Sequence, residues 1–158
     1  MTDEADVPIS HLQRRKIESG VLIPFIEACR ARFGDAATRE LVIATIKQLA
    51  AEDGARWAAS FGAGVPALRQ VVEKLWAGGG SLEVEMLEAD ERKLDFNVTR
   101  CRYAEFYRAL GLAELGFLVH CNRDHAMIAG FDPTVELTRT RTIMEGGASC
   151  DFRFRKKA

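Results

Sequence analysis

The stretch SLEVEMLEADERKLDFNVT, residues 81–99, decides how this chain folds, because the hydrophobic period changes there. It reads as two alternating runs around Asp90-Glu91. Leu94, Phe96 and Val98 share one face, which is the pattern of a β-hairpin with one side on a core. Everything before it has a helical period. IPFIEACRARFG (23–34) puts Phe25, Ile26, Cys29 and Phe33 on one face, with Pro24 in a first turn and Gly34 as a stop. ISHLQRRKIESG (9–20) reads as a separate short helix ending at Ser19-Gly20. Asp35 is placed to cap an Ala-rich helix that closes near Gly54. Arg56 to Ala77 gives a third helix or pair, restarted at Pro66, with Leu68, Val71, Val72, Leu75 and Trp76 as its buried stripe.

AGGGS (77–81) separates the two regimes. It lacks the Lys-Ser/Thr that completes a phosphate loop, so it reads as a turn. After the hairpin come the helix RCRYAEFYRALG (100–111) and the helical region LAELGFLVHCNRDHAMIAGF (112–131), interrupted near Gly116. Two further strands close the chain, TVELTRTRTIM (134–144) and SCDFRFR (149–155). The expected fold is α+β: N-terminal helices packed on a four-stranded antiparallel sheet, with ββ-αα-ββ order in the C-terminal half. The 158 residues suit one domain, helical over about 8–77 and sheet-containing over about 81–157.

Composition excludes several function classes. Hydrophobic residues are 47% and charged residues 28%, with a net charge of −1, which argues against nucleic acid or an anionic membrane as a partner. The basic tail Arg153, Arg155, Lys156, Lys157 reads as a solvated strand end. No apolar run approaches a membrane span and MTDEADVPIS has no secretory core, so a cytoplasmic location is expected. There the four cysteines, Cys29, Cys101, Cys121 and Cys150, are thiols or metal ligands, and no spacing gives a C-x-x-C pair.

The residues that could carry chemistry concentrate in the second half. Cys121, Asp124 and His125 stand at i, i+3 and i+4, on one helical face. Cys101 follows Thr99, a plausible N-cap, so it falls in a first helical turn where the dipole favours a thiolate. Cys150 alternates with Phe152 and Phe154 toward the core face of the last strand. The plainer reading stands beside each: a cysteine on an apolar face is commonly a small core residue, Cys29 above all. His120 neighbours the Cys121 face rather than sharing it, and His11 lies near the chain's start; both read as structural or exposed. In TVELTRTRTIM, Arg139 and Arg141 share parity with Val135, Leu137 and Ile143. Either the strand outruns its sheet and they reach solvent, or a guanidinium stands at a pocket mouth, suited to a carboxylate.

FNVTRCRYAEFYRALGLAELG (96–116), HCNRD (120–124) and RTRTIMEGGASCDFRFR (139–155) together resemble the L-2-amino-thiazoline-4-carboxylic acid hydrolase family, a likeness running from about His11 to Lys157. The pattern T-R-C, C-x-x-D, T-x-x-x-G-G and C-D-F falls here on Thr99, Cys101, Cys121, Asp124, Thr142, Gly146, Cys150 and Asp151. The resemblance implies a hydrolase that opens a carboxylate-bearing thiazoline ring at a C–N bond to give a carbamoyl-cysteine. Its site would draw on Cys121, Asp124, Cys101 and Cys150 for catalysis. Thr142 and Thr99 would bind substrate with Asp151 in support, while the strand parity adds Arg139 and Arg141 for the substrate carboxylate and the helical spacing adds His125 in support.

Two mechanisms follow as expectations. In one, Cys121 or Cys101 attacks as thiolate while Asp124 moves protons. In the other, Cys101, Cys121 and Cys150 hold zinc, which activates a water. The cofactor is therefore either none or zinc. The expected partner is a small carboxylate-bearing molecule, and self-association is left open. A third reading, from another class, is a non-catalytic small-molecule sensor, a metal-binding or redox-responsive domain, or a partner subunit.

Overall fold

The computed structural model describes residues 9–158; the acidic opening stretch 1–8 lies outside them. Helix α1, His11–Phe33, begins at a reciprocal cap. The Ser10 side chain accepts the Gln13 N–H at 3.1 Å, and the Gln13 side chain accepts the Ser10 N–H at 2.8 Å. One helix therefore replaces the two expected from Gly20 and Pro24. Proline removes the hydrogen bond to Gly20, but both residues face solvent, where water can take the Gly20 carbonyl. The apolar face also differs. Ile26 is buried, whereas Ile17, Val21, Phe25 and Phe33 are exposed.

Helix α2, Asp35–Phe61, is capped by Gly34 rather than by Asp35, which starts the helix. It runs through Gly54, the expected stop. The reason lies on helix α6, Asp124–Phe131. A Cβ at Gly54 would collide with the Met127 carbonyl oxygen, and one at Gly130 with that of Ala51. The two helices cross backbone to backbone there, so Gly54 is a packing position and not a terminator. Helix α3, Gly64–Val71, continues into a wider π turn over Val72–Trp76. Leu68, Val71, Val72 and Trp76 are buried on it, as the periodicity predicts.

The glycine turn Gly78–Gly80, with Gly79 and Gly80 at positive φ, leads into strands β1, Leu82–Ala89, and β2, Lys93–Cys101. Asp90 closes the hairpin by accepting the N–H groups of Arg92 and Lys93, both at 2.7 Å. Helices α4, Arg102–Ala109, and α5, Ala113–Val119, follow. A short 3-10 turn, Cys121–Arg123, then leads into α6. The break falls at His120 and not at Gly116, which sits inside α5 because a Cβ there would strike Tyr107 and Met144.

Strands β3, Val135–Thr138, and β4, Cys150–Lys156, complete a four-stranded antiparallel sheet in the order β1-β2-β4-β3. In register, Val98 opposes Cys150, Phe96 opposes Phe152 and Leu94 opposes Phe154. The Phe96 and Phe152 rings stack at 5.0 Å. This face meets the helices in a core that includes Ile26, Ile46, Leu68, Tyr107 and Phe131. The fold is α+β, as the change of period predicts.

Strand β3 is four residues long, shorter than the run 134–144 suggested. Asp151 ends it. Its carboxylate accepts the N–H groups of Thr140 and Arg141 at 2.9 and 2.8 Å and the Thr140 hydroxyl at 2.6 Å, in place of ladder bonds. The parity that placed Arg139 and Arg141 on one face therefore does not persist. Among the described residues no helix is long and apolar enough to cross a membrane.

Candidate active site

A cavity of about 110 Å³ lies where α1, α2, the α5–α6 junction and the sheet face meet. Cys101, Cys121 and Cys150 all reach it, with Asp124 and Arg139. Three elements deliver the thiols. β4 begins at Cys150, β2 ends at Cys101, and the break at His120 turns the chain so that Cys121 and Asp124 open the 3-10 turn and α6.

Each thiol has a different setting. The Cys150 sulfur accepts the Ile143 N–H at 3.2 Å, and burial raises the thiol to about 11. Cys101 is itself the N-cap of α4, so Thr99 is not. Its sulfur accepts the Ala104 N–H at 3.4 Å. That bond favours a thiolate, but burial outweighs it and the thiol is raised, opposite to the expectation from the helix dipole. Cys121 makes no sulfur hydrogen bond among the described residues. Burial, then the negative charge of Asp124, push its thiol well above the usual range. All four cysteines are free.

Asp124 is held by an ion pair with Arg139, whose side chain is 7% exposed. The same guanidinium donates to the Cys121 carbonyl at 3.1 Å and lies over the Phe152 ring at 5.6 Å. Burial raises the Asp124 carboxyl to about 6, with Arg139 and then Arg123 pulling against it. The rest of this wall is apolar, formed by Trp76, Leu82, Val98, Met127, Met144 and Phe152. It keeps the thiols in a low-dielectric setting.

Several expected residues lie outside the cavity. Thr99 is exposed on β2, donating to the Glu83 carbonyl at 3.4 Å. The buried Thr142 hydroxyl donates to Glu145 at 2.7 Å and accepts its N–H at 3.2 Å, shaping the 142–147 loop. Arg141 is exposed and donates to Ser149 at 3.2 Å. Asp151 is spent ending β3. His125 is exposed on α6, since the 3-10 turn rotates it away from Cys121 and Asp124.

Two histidines set aside in the sequence reading do line the cavity. His120 rests against Tyr103 and Tyr107 at 5.3 and 5.1 Å, and burial lowers it to about 3. His11 sits edge-on to Trp57 and Tyr103, lowered to about 4 by burial and then Arg15. Arg15 and Arg123 line the same end and share Asp53. No sequence spacing joins these residues, because α1, α2 and the α5–α6 junction contribute them separately.

No three His, Cys, Asp or Glu side chains among the described residues are grouped to hold a metal ion. The cysteine set Cys101, Cys121 and Cys150 thus lines one cavity without forming a ligand cluster for zinc.

The model of the L-2-amino-thiazoline-4-carboxylic acid hydrolase family matches residues 14–154. The chain belongs to that family. A comparison with curated proteins returns no match. The matched span carries all three cavity thiols, Asp124 and Arg139, and begins just before Arg15; His11 precedes it. In this member of the hydrolase family, Thr142, Gly146 and Asp151 shape the loop between β3 and β4. Gly146 does so at a φ of 99°, a conformation that side-chain-bearing residues rarely adopt.

Proposed function

We propose that this protein is a hydrolase that opens a small carboxylate-bearing heterocycle of the thiazoline type. Cys121 is the nucleophile and Asp124 its proton shuttle. The observation that carries this reading is the difference between the thiols. Cys101 and Cys150 have sulfurs occupied by backbone N–H groups, while the Cys121 sulfur is unoccupied and feels the charge of the Asp124 carboxylate one turn away.

At neutral pH Asp124 is largely ionised, being raised only to about 6, and the Cys121 thiol is protonated. The carboxylate takes the thiol proton as sulfur bonds to the amidine carbon of the ring. The tetrahedral adduct collapses by breaking a ring bond at that carbon, and the departing heteroatom takes the proton from Asp124. Water then attacks the same carbon, giving a proton to Asp124. The Cys121–carbon bond breaks and the sulfur recovers that proton. One water is added and no electrons are transferred. Arg139 holds Asp124 in place and keeps its carboxylate ionised against burial.

A second reading has support in the raised Cys121 thiol: Asp124 activates water directly and Cys121 only shapes the wall. Turnover of 2-amino-thiazoline-4-carboxylate by Cys121→Ser separates the two. A loss of roughly a thousandfold or more fits a nucleophile. Retained turnover leaves the Asp124 route. An unmodified protein that binds the compound and never turns it over is a binding domain and not a hydrolase.

A further inference from the structure

Arg139 and Arg141, the residues expected to meet the substrate carboxylate, are both engaged with other groups of the chain. Arg141 lies outside the cavity, and Arg139 is committed to Asp124 and the Cys121 carbonyl. Two further guanidinium groups, Arg15 of α1 and Arg123 of the 3-10 turn, line the same cavity. Arg15 and Arg123 both donate to the same oxygen of Asp53, whose other oxygen takes Arg56. Glu18 adds a second carboxylate on Arg15, at 2.8 Å and half exposed. Three guanidinium groups thus face two carboxylates, and the two that line the cavity are nearly buried, at 13% and 12% exposed. The nearby imidazoles of His11 and His120 add no charge at neutral pH.

Tyr103 lines the cavity as well, and its hydroxyl is buried without a hydrogen-bond partner among the described residues. A buried hydroxyl left unpaired is unfavourable by itself, so its donor calls for an acceptor. A bound carboxylate supplies one and balances the surplus charge.

The geometry points to Arg15, Arg123 and the Tyr103 hydroxyl as the group that receives the carboxylate of the substrate, at the end of the cavity facing α1. This rests on the hydrolase reading for the identity of the ring. It also orients that ring, since a carboxylate held by Arg15 and Arg123 leaves the amidine carbon toward Cys121 and Asp124.

Trp57 and Trp76 are the two tryptophans of the chain and both line the cavity, so intrinsic fluorescence reports occupancy. Titration of the full chain with 2-amino-thiazoline-4-carboxylate and with its carboxamide tests the inference. The carboxylate is expected to bind at least about tenfold tighter than the amide. Arg123→Gln and Tyr103→Phe are each expected to remove most of that preference while leaving amide affinity unchanged. Tyr103→Phe guards against a folding artefact, because it removes a single hydroxyl whose polar neighbour, Ser81, keeps the Gly78 carbonyl as its own partner. Equal affinity for the two compounds, no binding of either, or a preference that survives both substitutions overturns the inference. Carboxylate-selective binding without turnover keeps the subsite and removes the hydrolase reading. Turnover of both compounds without preference does the reverse.

Discussion

Arg139 donates to the Cys121 carbonyl at 3.1 Å while the same guanidinium pairs with the Asp124 carboxylate. A residue just beyond β3 thereby fixes both ends of the turn that carries Cys121 and Asp124. The pairing also sets the protonation of Asp124, and from this a pH dependence follows.

With Asp124 acting as base, kcat/KM is expected to rise with pH through about 6, where its carboxyl titrates. Arg139 lowers that value against burial. Arg139→Leu is therefore expected to move the limb to higher pH, and Asp124→Asn to abolish it with the activity. Rate profiles between pH 4.5 and 8 measure both. A limb unmoved by loss of Arg139 would remove the pairing from the mechanism.

Arg141→Met is expected to leave KM for the carboxylate unchanged, since the side chain is exposed and bonded to Ser149. Arg139→Met is expected to act mainly on kcat. Steady-state kinetics of the two variants distinguish positioning of Asp124 from contact with substrate.

Stability is expected to fall on acidification, because His11 and His120 titrate near 6.5 when unfolded but at about 4 and about 3 when folded. The unfolded chain then binds more protons across that window, so its population grows as pH drops. Asp124 works oppositely. Raised from 3.8 to about 6, it contributes stability when protonated and offsets part of the loss below pH 6. Urea midpoints at pH 7 and 5 measure the slope, which His120→Asn should flatten.

Gly54→Ala and Gly130→Ala are each expected to destabilise the fold by about 1–3 kcal/mol or more, the range for forcing added carbon into packed space. The added methyl meets backbone on the facing helix, which cannot rotate aside as a side chain can. Gly20→Ala, with open space around its Cβ, serves as the control in chemical denaturation.

The sheet was legible because a two-residue period has few competing explanations. Leu94, Phe96 and Val98 are buried together on the face the alternation assigns. Helix boundaries were less legible. Gly54 and Gly116 read as stops, yet both are interior positions where another backbone or ring leaves no room for a side chain. At the site, the local pair Cys121 and Asp124 could be read from spacing, and Cys101 and Cys150 from their motifs. Arg15, His11 and Trp57 could not. They join the cavity only through the packing of α1 and α2, which no local pattern encodes. Arg141 was misplaced because parity was extended past the point where Asp151 ends the strand.

The register of β2 against β4 has a consequence for the chain as it is made. Cys150 opposes Val98, and Phe152, the last cavity-lining residue in the sequence, opposes Phe96. During synthesis the wall over Cys101 and Cys121 stays missing until β4 has emerged, although both thiols are translated well before it. The newborn protein therefore passes through an interval in which thiols that are later sheltered stand open to oxidants and alkylating agents, and docking of the final strand ends it.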